Sequence, residues 1–290
     1  MAKVRKAVIP AAGLGTRVLP ITKVMPKEML PIVDKPAIQY IVEEAVRSGI
    51  EDILIITNRG KGLIEDHFDH APELEQRLEA TGKRDMLREI QSISHLANIC
   101  FIRQKETRGL GHAVGCARSF VGDEPFAVLY GDDVILGEDP VCGQLCRAYE
   151  EYGRGVVGMK AVTAEQIQKY SSLAVSPLRD NLYKVTDMVE KPSPDRILSL
   201  YSILGRCILP PEIFDILEHT APGAGGEIQL TDAMTALARR DGMIGVDFVG
   251  TRYDMGNKLG ILQATCEMAL QHPEVKDEFR NYLKNLAKTL

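Results

Sequence analysis

Residues 4–31 of the chain read VRKAVIPAAGLGTRVLPITKVMPKEMLP, and the rest of the molecule is organised around this stretch. The apolar run at residues 7–9 stops at Pro10, which is typical of a buried strand in a parallel sheet. Residues 11–15 (AAGLG) come next. Their small side chains leave a bare backbone whose successive N–H groups can form a concave anion site. The pattern therefore predicts a strand followed by a phosphate-binding turn.

Two cations follow this turn, the planar guanidinium of Arg17 and the compact ammonium of Lys27. The turn is not a Walker P-loop, because no Gly-Lys-Ser/Thr closes it. It is not the dinucleotide fingerprint either, because Gly13-Leu14-Gly15 lacks the third glycine, and this argues against a dehydrogenase. A Gly-x-Gly after a strand also occurs as a tight turn without a ligand, so the turn alone leaves that alternative open.

The Gly-x-Gly-Thr-Arg string at residues 13–17, followed by Pro-Lys-Glu-Met-Leu-Pro at residues 26–31, resembles the signature of the sugar-1-phosphate nucleotidylyltransferases. Among these it is most similar to the bacterial enzymes that use UTP and glucose 1-phosphate. The resemblance implies an α/β fold with a Rossmann-like, mostly parallel central sheet flanked by helices and a smaller β-rich sugar-binding lobe. It also implies nucleotide contacts from Ala11, Ala12, Gly13, Gly15 and Glu28.

The 290 residues can bury a substantial core in one large α/β domain or in two smaller ones. We predict a single nucleotidyltransferase domain over residues 1–290. Within it, residues 1–154 form the nucleotide-binding half, residues 155–256 the sugar-binding lobe and the return to the sheet, and residues 257–290 the C-terminal helices.

The net charge of −5 argues against a nucleic-acid partner, which needs a basic surface. No apolar run reaches the length of a membrane span, and the N-terminus lacks the apolar core of a signal peptide. The six cysteines are scattered without zinc-site spacing. We interpret them as reduced, mostly buried thiols of a cytoplasmic protein.

The next segments predict a βαβ unit. A helix is expected to open at Asp34-Lys35-Pro36 and to end at Gly49, and residues 52–57 form a second buried strand. The sheet is therefore parallel with a right-handed crossover. Residues 61–96 are charged and helix-prone and predict surface helices.

A second glycine turn follows a third strand at residues 99–103. Residues 104–113 (QKETRGLGHA) open a helix at the carboxyl end of that strand, the edge where open α/β sheets bind ligands. The resemblance assigns Gln104 and Gly109 to the uracil base, and a glutamine amide offers both a donor and an acceptor to an imide. A helix cap explains the glycines but not the glutamine. His112 is predicted to be structural.

The fourth strand, residues 126–130, ends in Gly131-Asp132-Asp133. A carboxylate at the tip of a buried strand is held rigidly and suits Mg²⁺, although aspartate also favours turns. The resemblance makes Asp132 a Mg²⁺ ligand, and Asp133 is assigned to the nucleotide. Asp254 ends a later strand before a helix, where it can complete the metal site or merely cap the helix.

From about residue 155, short apolar strands alternate with turns, which predicts a β-rich lobe over the carboxyl edge of the sheet. The resemblance implies that Glu190 contacts the sugar hydroxyls and Lys191 the sugar phosphate, roles that suit a carboxylate and an ammonium. It also assigns Ser171 and Gly205 to the sugar. Ser171 stands where the family usually has glycine, and Cys207 where it usually has tyrosine, so the preferred sugar stays open.

Further helices are predicted after residue 230 and at the C-terminus. In the string GAGGEIQLTDA at residues 223–233, which is specific to the uridylyltransferases, Thr231 or Asp232 is expected to cap a helix that runs to residue 240. Helices are also predicted at residues 257–271 and 273–286. The last carries an apolar stripe for packing on the body or on a second subunit, in a homodimer or homotetramer.

The implied activity is synthesis of UDP-glucose and pyrophosphate from UTP and glucose 1-phosphate with Mg²⁺. Because the attacking phosphate oxygen is already anionic, no general base is needed, and the sequence shows no obvious Ser–His or Cys–His arrangement. Arg17, Lys27 and Lys191 are the predicted catalytic residues. The alternatives are the same chemistry on another nucleoside triphosphate or sugar 1-phosphate, and a non-catalytic regulatory homologue.

Overall fold

The computed structural model of the protein describes residues 2–289, except for the side chain of Ala224. Its strands are Lys6–Pro10 (β1), Pro31–Ile32 (β2), Lys35–Pro36 (β3), Asp52–Thr57 (β4), Asn98–Arg103 (β5), Phe126–Leu129 (β6), Asp133–Leu136 (β7), Val156–Ala161 (β8), Ser171–Arg179 (β9), Leu182–Glu190 (β10), Tyr201–Leu209 (β11), Met243–Asp247 (β12) and Thr251–Asp254 (β13).

Its α-helices are Ala37–Arg47 (α1), Gly62–Phe68 (α2), Pro72–Ala80 (α3), Arg84–Ser94 (α4), Leu110–Gly115 (α5), Arg118–Val121 (α6), Val141–Tyr152 (α7), Ile213–Glu218 (α8), Leu230–Asp241 (α9), Lys258–Ala269 (α10) and Lys276–Leu286 (α11). Short 3₁₀ helices lie at Thr16–Val18, Ile21–Lys23, Lys27–Met29, Ile167–Lys169, Pro194–Arg196, Ala224–Gly226 and Ala287–Thr289.

One nine-stranded sheet holds the molecule together, in the order β5-β4-β1-β6-β11-β8-β12-β10-β9. The strand pairings make β10 and β11 antiparallel to the other seven strands. Two apolar clusters, formed with the flanking helices, cover the sheet. The predicted α/β class with a mostly parallel central sheet is confirmed.

The first half of the chain forms the expected βαβ unit. Residues 7–9 are fully buried in β1, which pairs in parallel with β4 on one side and β6 on the other. The helix between them starts at Ala37, later than predicted. Lys35 and Pro36 are extended because they pair with β2 in a short hairpin, in which Val33 adopts a φ of 64°.

The second half of the chain corrects the expectation of a lobe placed over the sheet edge. Strands β8 to β12 instead continue the central sheet: β11 pairs with the free side of β6, and the β9–β10 hairpin reaches the far edge. A strand side left unpaired would expose its N–H and C=O groups, and β11 satisfies those of β6.

Two smaller expectations also change, and a third stays open. Only Cys142, Cys146 and Cys207 are buried, so half of the thiols are not. Of the predicted apolar stripe, Phe279 and Leu283 are half-buried and Val275 and Leu286 are exposed, so the rest of the chain covers the stripe only in part. Helix α9 begins at Leu230 without a side-chain cap, so Thr231 and Asp232 lie in its first turn and are not its cap.

Within residues 2–289, none of the helices combines the length and the apolar character needed to cross a membrane.

Candidate active site

The carboxyl ends of β1 and β6 lie side by side and bring the glycine-containing loop close to Asp132. The Gly131 N–H donates to the Pro10 carbonyl at 3.3 Å. A Cβ added at Gly131 would lie 2.7 Å from that carbonyl oxygen, so only glycine allows this approach. Ala11 N–H donates to the carbonyl of Ile56 at 2.8 Å, which anchors the loop to β4.

A cavity of about 410 Å³, here called the loop cavity, opens at this edge of the sheet. Seven residues that the sequence assigned to the nucleotide, catalysis or metal line it: Ala12, Gly13, Gly15, Lys27, Gln104, Gly109 and Asp132. Further lining residues that the sequence reasoning missed are Leu14, Thr16, Thr107, Leu110, Tyr130 and Glu227. A concave site with few, convergent polar groups is the usual form of a small-molecule site.

Lys27 and Asp132 form a close ion pair beside the loop cavity, with Nζ 2.5 Å from Oδ2. Burial opposes the ionised form of both groups, but the attraction outweighs it. The pKa of Asp132 is lowered by Lys27 and Arg17, and the pKa of Lys27 is raised by Asp132 and Glu28. Both groups are therefore charged at neutral pH.

The pairing of β13 with β7 brings Asp254 to the same place, opposite Asp133. Met255 N–H donates to the carbonyl of Asp132 at 2.8 Å. Arg17 lies 3.7 Å from a carboxylate oxygen of Asp132 and 3.7 Å from one of Asp254. The guanidinium is mostly exposed and pairs loosely, so it is free to move toward an anionic ligand.

Gly256 packs closely against both of these carboxylates, and its N–H donates to Asp254 Oδ1 at 2.8 Å. A Cβ added there would lie 2.8 Å from Asp132 Oδ2 and 2.8 Å from Asp254 Oδ1, and would also collide with Arg17. Two carboxylates that converge in this way are a donor set that fits a hard divalent cation such as Mg²⁺. In residues 2–289, no group of three or more His, Cys, Asp or Glu side chains forms a metal cage, so any such ion would draw its other ligands from substrate and water.

Arg252 is a half-buried residue of the site that the sequence reasoning missed. Its guanidinium pairs with Asp133 at 2.6 Å and lies over the ring of Tyr170 at 5.1 Å. Burial raises the pKa of Asp133 to about 6, although Arg252 opposes this shift. Successive side chains of a strand point to opposite faces, so Arg252 and Asp254, two residues apart in β13, lie on the same face. This spacing was the signal by which the sequence could have indicated Arg252.

Gln104 is buried at the end of β5 and lies against the start of α5. Its amide nitrogen donates to the carbonyl of Gly109 at 3.2 Å and lies 2.9 Å from Nδ1 of His112. Gly109 has a φ of 103°, and a Cβ there would lie 2.7 Å from the carbonyl oxygen of Ile228. Glycine is therefore required where α5 meets the segment before α9.

A second, smaller cavity of about 90 Å³ adjoins the loop cavity, sharing Leu110 and Tyr130 with it. We call it the Ser171 cavity. Ser171 and Glu190 line it and face each other across the β9–β10 pair. Thr231 donates its hydroxyl to Glu190 at 2.8 Å. Burial raises the pKa of Glu190, and the bond from Thr231 offsets part of that shift.

The remaining predicted site residues lie outside the lining of both cavities. Ala11 is buried beneath the loop. Glu28 is fully buried and pairs with Lys61 at 2.6 Å, while its second oxygen has no partner within residues 2–289. Lys191 is exposed. Gly205 is buried behind Asp133, whose carboxylate a Cβ at Gly205 would meet at 2.8 Å.

Residues 6–271 match the model of the nucleotidyl transferase family. The chain belongs to this family. It is 54% identical over 286 residues to UTP–glucose-1-phosphate uridylyltransferase YngB of Bacillus subtilis, covering 99% of this chain and 96% of the relative. It is 52% identical to another UTP–glucose-1-phosphate uridylyltransferase of that organism, covering 99% of this chain and 98% of the relative.

Solved structures of UDP-glucose pyrophosphorylases are similar to this chain as well. The UTP-bound UGPase from Acinetobacter baumannii superposes with a TM-score of 0.90 at 38% identity, covering 98% of this chain and 99% of the other. A UDP-glucose pyrophosphorylase complexed with UDP-glucose gives a TM-score of 0.84 at 40% identity, covering 93% of this chain and 100% of the other. The resemblance drawn from the sequence motifs is confirmed.

Proposed function

We propose that this chain is a UTP–glucose-1-phosphate uridylyltransferase that forms UDP-glucose and pyrophosphate. The observation that carries the proposal is the junction of two cavities at Leu110 and Tyr130. The loop cavity offers an amide, a bare loop and a half-buried cation, which suit a nucleoside triphosphate. The adjoining Ser171 cavity offers a carboxylate and a hydroxyl, which suit a sugar. The names of the relatives select uracil and glucose within this chemistry.

In the proposed reaction, an oxygen of glucose 1-phosphate forms a bond to the α-phosphorus of UTP. The bond from that phosphorus to the bridging oxygen breaks, and pyrophosphate leaves with the electron pair. The chain's task is to hold two anions together and to neutralise developing charge. Lys27, which is charged and oriented by Asp132, serves the bridging and leaving oxygens. Arg17 serves the triphosphate, and Lys191 serves the sugar phosphate.

Most of the assignments within the substrates follow the two cavities, whereas those of Ala11, Glu28, Asp133 and Gly205 rest on the motif resemblance alone. Gln104 and Gly109 are proposed to contact the base, and residues 11–15 with Glu28 and Asp133 the rest of the nucleotide. Glu190, with Ser171 and Gly205, is proposed to contact the sugar. A non-catalytic homologue is disfavoured because Arg17 and Lys27 are both present and grouped with the two carboxylates.

We propose that Asp132 and Asp254 hold Mg²⁺. The support is that the two carboxylates converge beside Gly256 and Arg17, and that carboxylates are ligands this ion prefers. When bound, the ion would neutralise charge on the phosphates. Arg17 contacts both carboxylates and would keep them in place between turnovers.

The test measures pyrophosphate release from UTP and glucose 1-phosphate with Mg²⁺. Asp132→Asn should lower kcat by about 100-fold, the usual order for loss of one preorganised charge contact, with the fold retained. Asp139→Asn is the matched control, because this exposed aspartate pairs with Arg147 at the surface. Full turnover of the wild type in excess chelator would contradict the metal role, and no turnover with any triphosphate would contradict the function.

Three further features are proposals of the same kind. We propose that residues 1–290 work as one nucleotidyltransferase domain, because a single sheet carries both cavities. We propose a homodimer or homotetramer, because the apolar stripe near the C-terminus stays partly uncovered on the single chain, with Val275 and Leu286 exposed. A cytoplasmic location is supported by the six free cysteines.

A further inference from the structure

His112 lies between the loop cavity and the outside of the molecule. It belongs to α5, and its ring is half-buried and lines an outer groove of about 480 Å³, together with Arg108, Cys116 and Phe214. Its Nδ1 points the other way and lies 2.9 Å from the amide nitrogen of Gln104. His112 therefore touches the residue proposed to read the base, while it lies outside the lining of the loop cavity.

The neighbours of Gln104 determine which way its amide faces. The carbonyl oxygen of Gly109 can only accept a hydrogen bond, so the amide atom 3.2 Å away must be the NH₂ group. The same NH₂ group meets Nδ1 of His112, which must therefore accept as well. It follows that His112 carries its proton on Nε2, on the side of the outer groove.

This arrangement leaves one atom of the Gln104 amide for a ligand. Both hydrogens of the NH₂ group are directed to the protein, one to Gly109 and one to His112. The amide oxygen has no partner within residues 2–289, and Gln104 lines the loop cavity. The protein thus presents an acceptor to the base, with its donors turned away.

We propose that His112 is a positioning residue that sets the base preference by holding the Gln104 oxygen toward the cavity. The inference rests on the proposed function, in which Gln104 contacts the base. An acceptor at this place bonds to the N3–H of uracil or thymine. Cytosine has a lone pair and no hydrogen at N3, so the two acceptors would face each other unpaired. The site therefore selects pyrimidines with an imide N–H.

Without His112, the amide would keep a single bond of 3.2 Å and would turn more freely. The loss of one orienting hydrogen bond corresponds to about a tenfold change in selectivity. His112→Phe keeps a flat ring but removes the acceptor. His112→Asn keeps an acceptor at a similar position, because the amide oxygen of asparagine can stand in for Nδ1, and it should restore the preference.

The experiment measures binding of UTP, CTP and 3-methyluridine 5′-triphosphate by isothermal titration calorimetry. The wild type should prefer UTP strongly over both others, since the methyl group removes the N3–H. His112→Phe should narrow the UTP-to-CTP ratio about tenfold, and His112→Asn should recover it. His219→Phe is the matched control, because the ring of this exposed histidine bonds to the backbone carbonyl of Asp215, away from both cavities.

Three results would overturn the inference. The wild type could bind UTP and CTP equally, or it could bind 3-methyluridine triphosphate as tightly as UTP. Third, the His112→Phe substitution could weaken the binding of UTP and the binding of CTP by the same factor. The first two need no variant, so the test stands even if His112→Phe fails to fold. A wild type that prefers UTP in binding but releases no pyrophosphate with glucose 1-phosphate would contradict the proposed function and leave this inference intact.

Discussion

Lys191 differs from the other predicted cations of the site in how it is held. Its side chain is exposed, but its backbone is fixed: its N–H donates to the carbonyl of Tyr170 at 2.7 Å, and its φ is 44°. A non-glycine residue with positive φ is uncommon and is kept only where the surroundings enforce it. The backbone of Lys191 is thus fixed beside Glu190, while its exposed ammonium group can move to bind a ligand.

Lys191→Ala should raise the KM for glucose 1-phosphate by about tenfold or more and leave the KM for UTP within about twofold, because only one substrate loses its counter-ion. Lys169→Ala is the matched control. Lys169 lines the Ser171 cavity but pairs with Glu165 at 2.8 Å, and its loss should have the smaller effect. Steady-state kinetics with each substrate varied checks this, and the reverse order would assign the sugar phosphate to Lys169.

The Cys207 thiol makes the free energy of unfolding depend on pH. Burial raises the pKa of its thiol from 9.0 to about 12. Between these values the folded state keeps the proton while the unfolded state loses it. The free energy of unfolding therefore falls as pH rises above about 9, and the contribution is unchanged below that pH.

The comparison that isolates this thiol is wild type against Cys207→Val. The difference in their free energies of unfolding should be constant from pH 7 to 8. From pH 9 upward the wild type should lose about 1.4 kcal/mol per pH unit relative to the variant. Urea unfolding at a series of pH values checks this. A difference that stays constant to pH 10 would mean that the folded thiol ionises normally.

At the scale of elements, Glu44 joins three parts of the fold. It lies on α1, 4% exposed, and accepts three hydrogen bonds from the guanidinium of Arg206 on β11, at 2.6 to 3.2 Å. It also accepts the backbone N–H of Cys142 at the start of α7, at 2.9 Å. Arg206 in turn donates to the carbonyl of Asp133 at 2.9 Å, which connects this cluster to the candidate site.

Glu44→Ala should lower the free energy of unfolding by about 3–5 kcal/mol, because it leaves the Arg206 guanidinium buried and unpaired. Glu51→Ala is the control, since Glu51 forms a loose surface pair with Arg5 at 3.8 Å and should cost less than about 1 kcal/mol. Denaturant unfolding of both variants measures the two values. Equal costs would show that the cluster has no special role in stability.

At the scale of the whole molecule, burial divides the six thiols into classes. Cys100 is exposed on β5, an edge strand of the sheet. Cys116 and Cys266 are half-buried, and burial raises the pKa of Cys116. Cys142, Cys146 and Cys207 are buried. Since thiol reactivity follows exposure and thiolate content, the thiols should differ in rate.

Alkylation of the native protein should label Cys100 first, Cys116 and Cys266 more slowly, and the three buried thiols only as the chain unfolds. Peptide mass spectrometry at timed intervals measures each rate, with the protein in denaturant as the reference in which all six react. Protection of Cys100 at high protein concentration, relieved on dilution, would place β5 in a contact between subunits. Labelling of Cys207 in the native state would contradict the burial described here.

The sequence by itself determined the parts of this protein whose information is contiguous. The strand at residues 6–10, the loop after it and Lys27 lie within some twenty residues, so their common position at the sheet edge follows from local pattern alone. Gln104 and Asp132 were found for the same reason, because each ends a strand. The family motif then supplied the nature of the ligands, and the comparisons confirm the family.

Only the tertiary structure decided which distant residues meet. Asp254 reaches Asp132 because β13 pairs with β7, and no local period in the sequence specifies that pairing. The same holds for β11, which fills the free side of β6, so the second half continues the sheet and does not lie over its carboxyl edge as expected.

Thr231 shows the same limit for a single side chain. Its local sequence predicted a helix cap, but a carboxylate 41 residues away takes its hydroxyl. His112 seemed structural in sequence because nothing there shows that its ring meets Gln104. Such contacts depend on how elements pack, and a contact between residues far apart in the chain leaves no periodicity that a single sequence reveals.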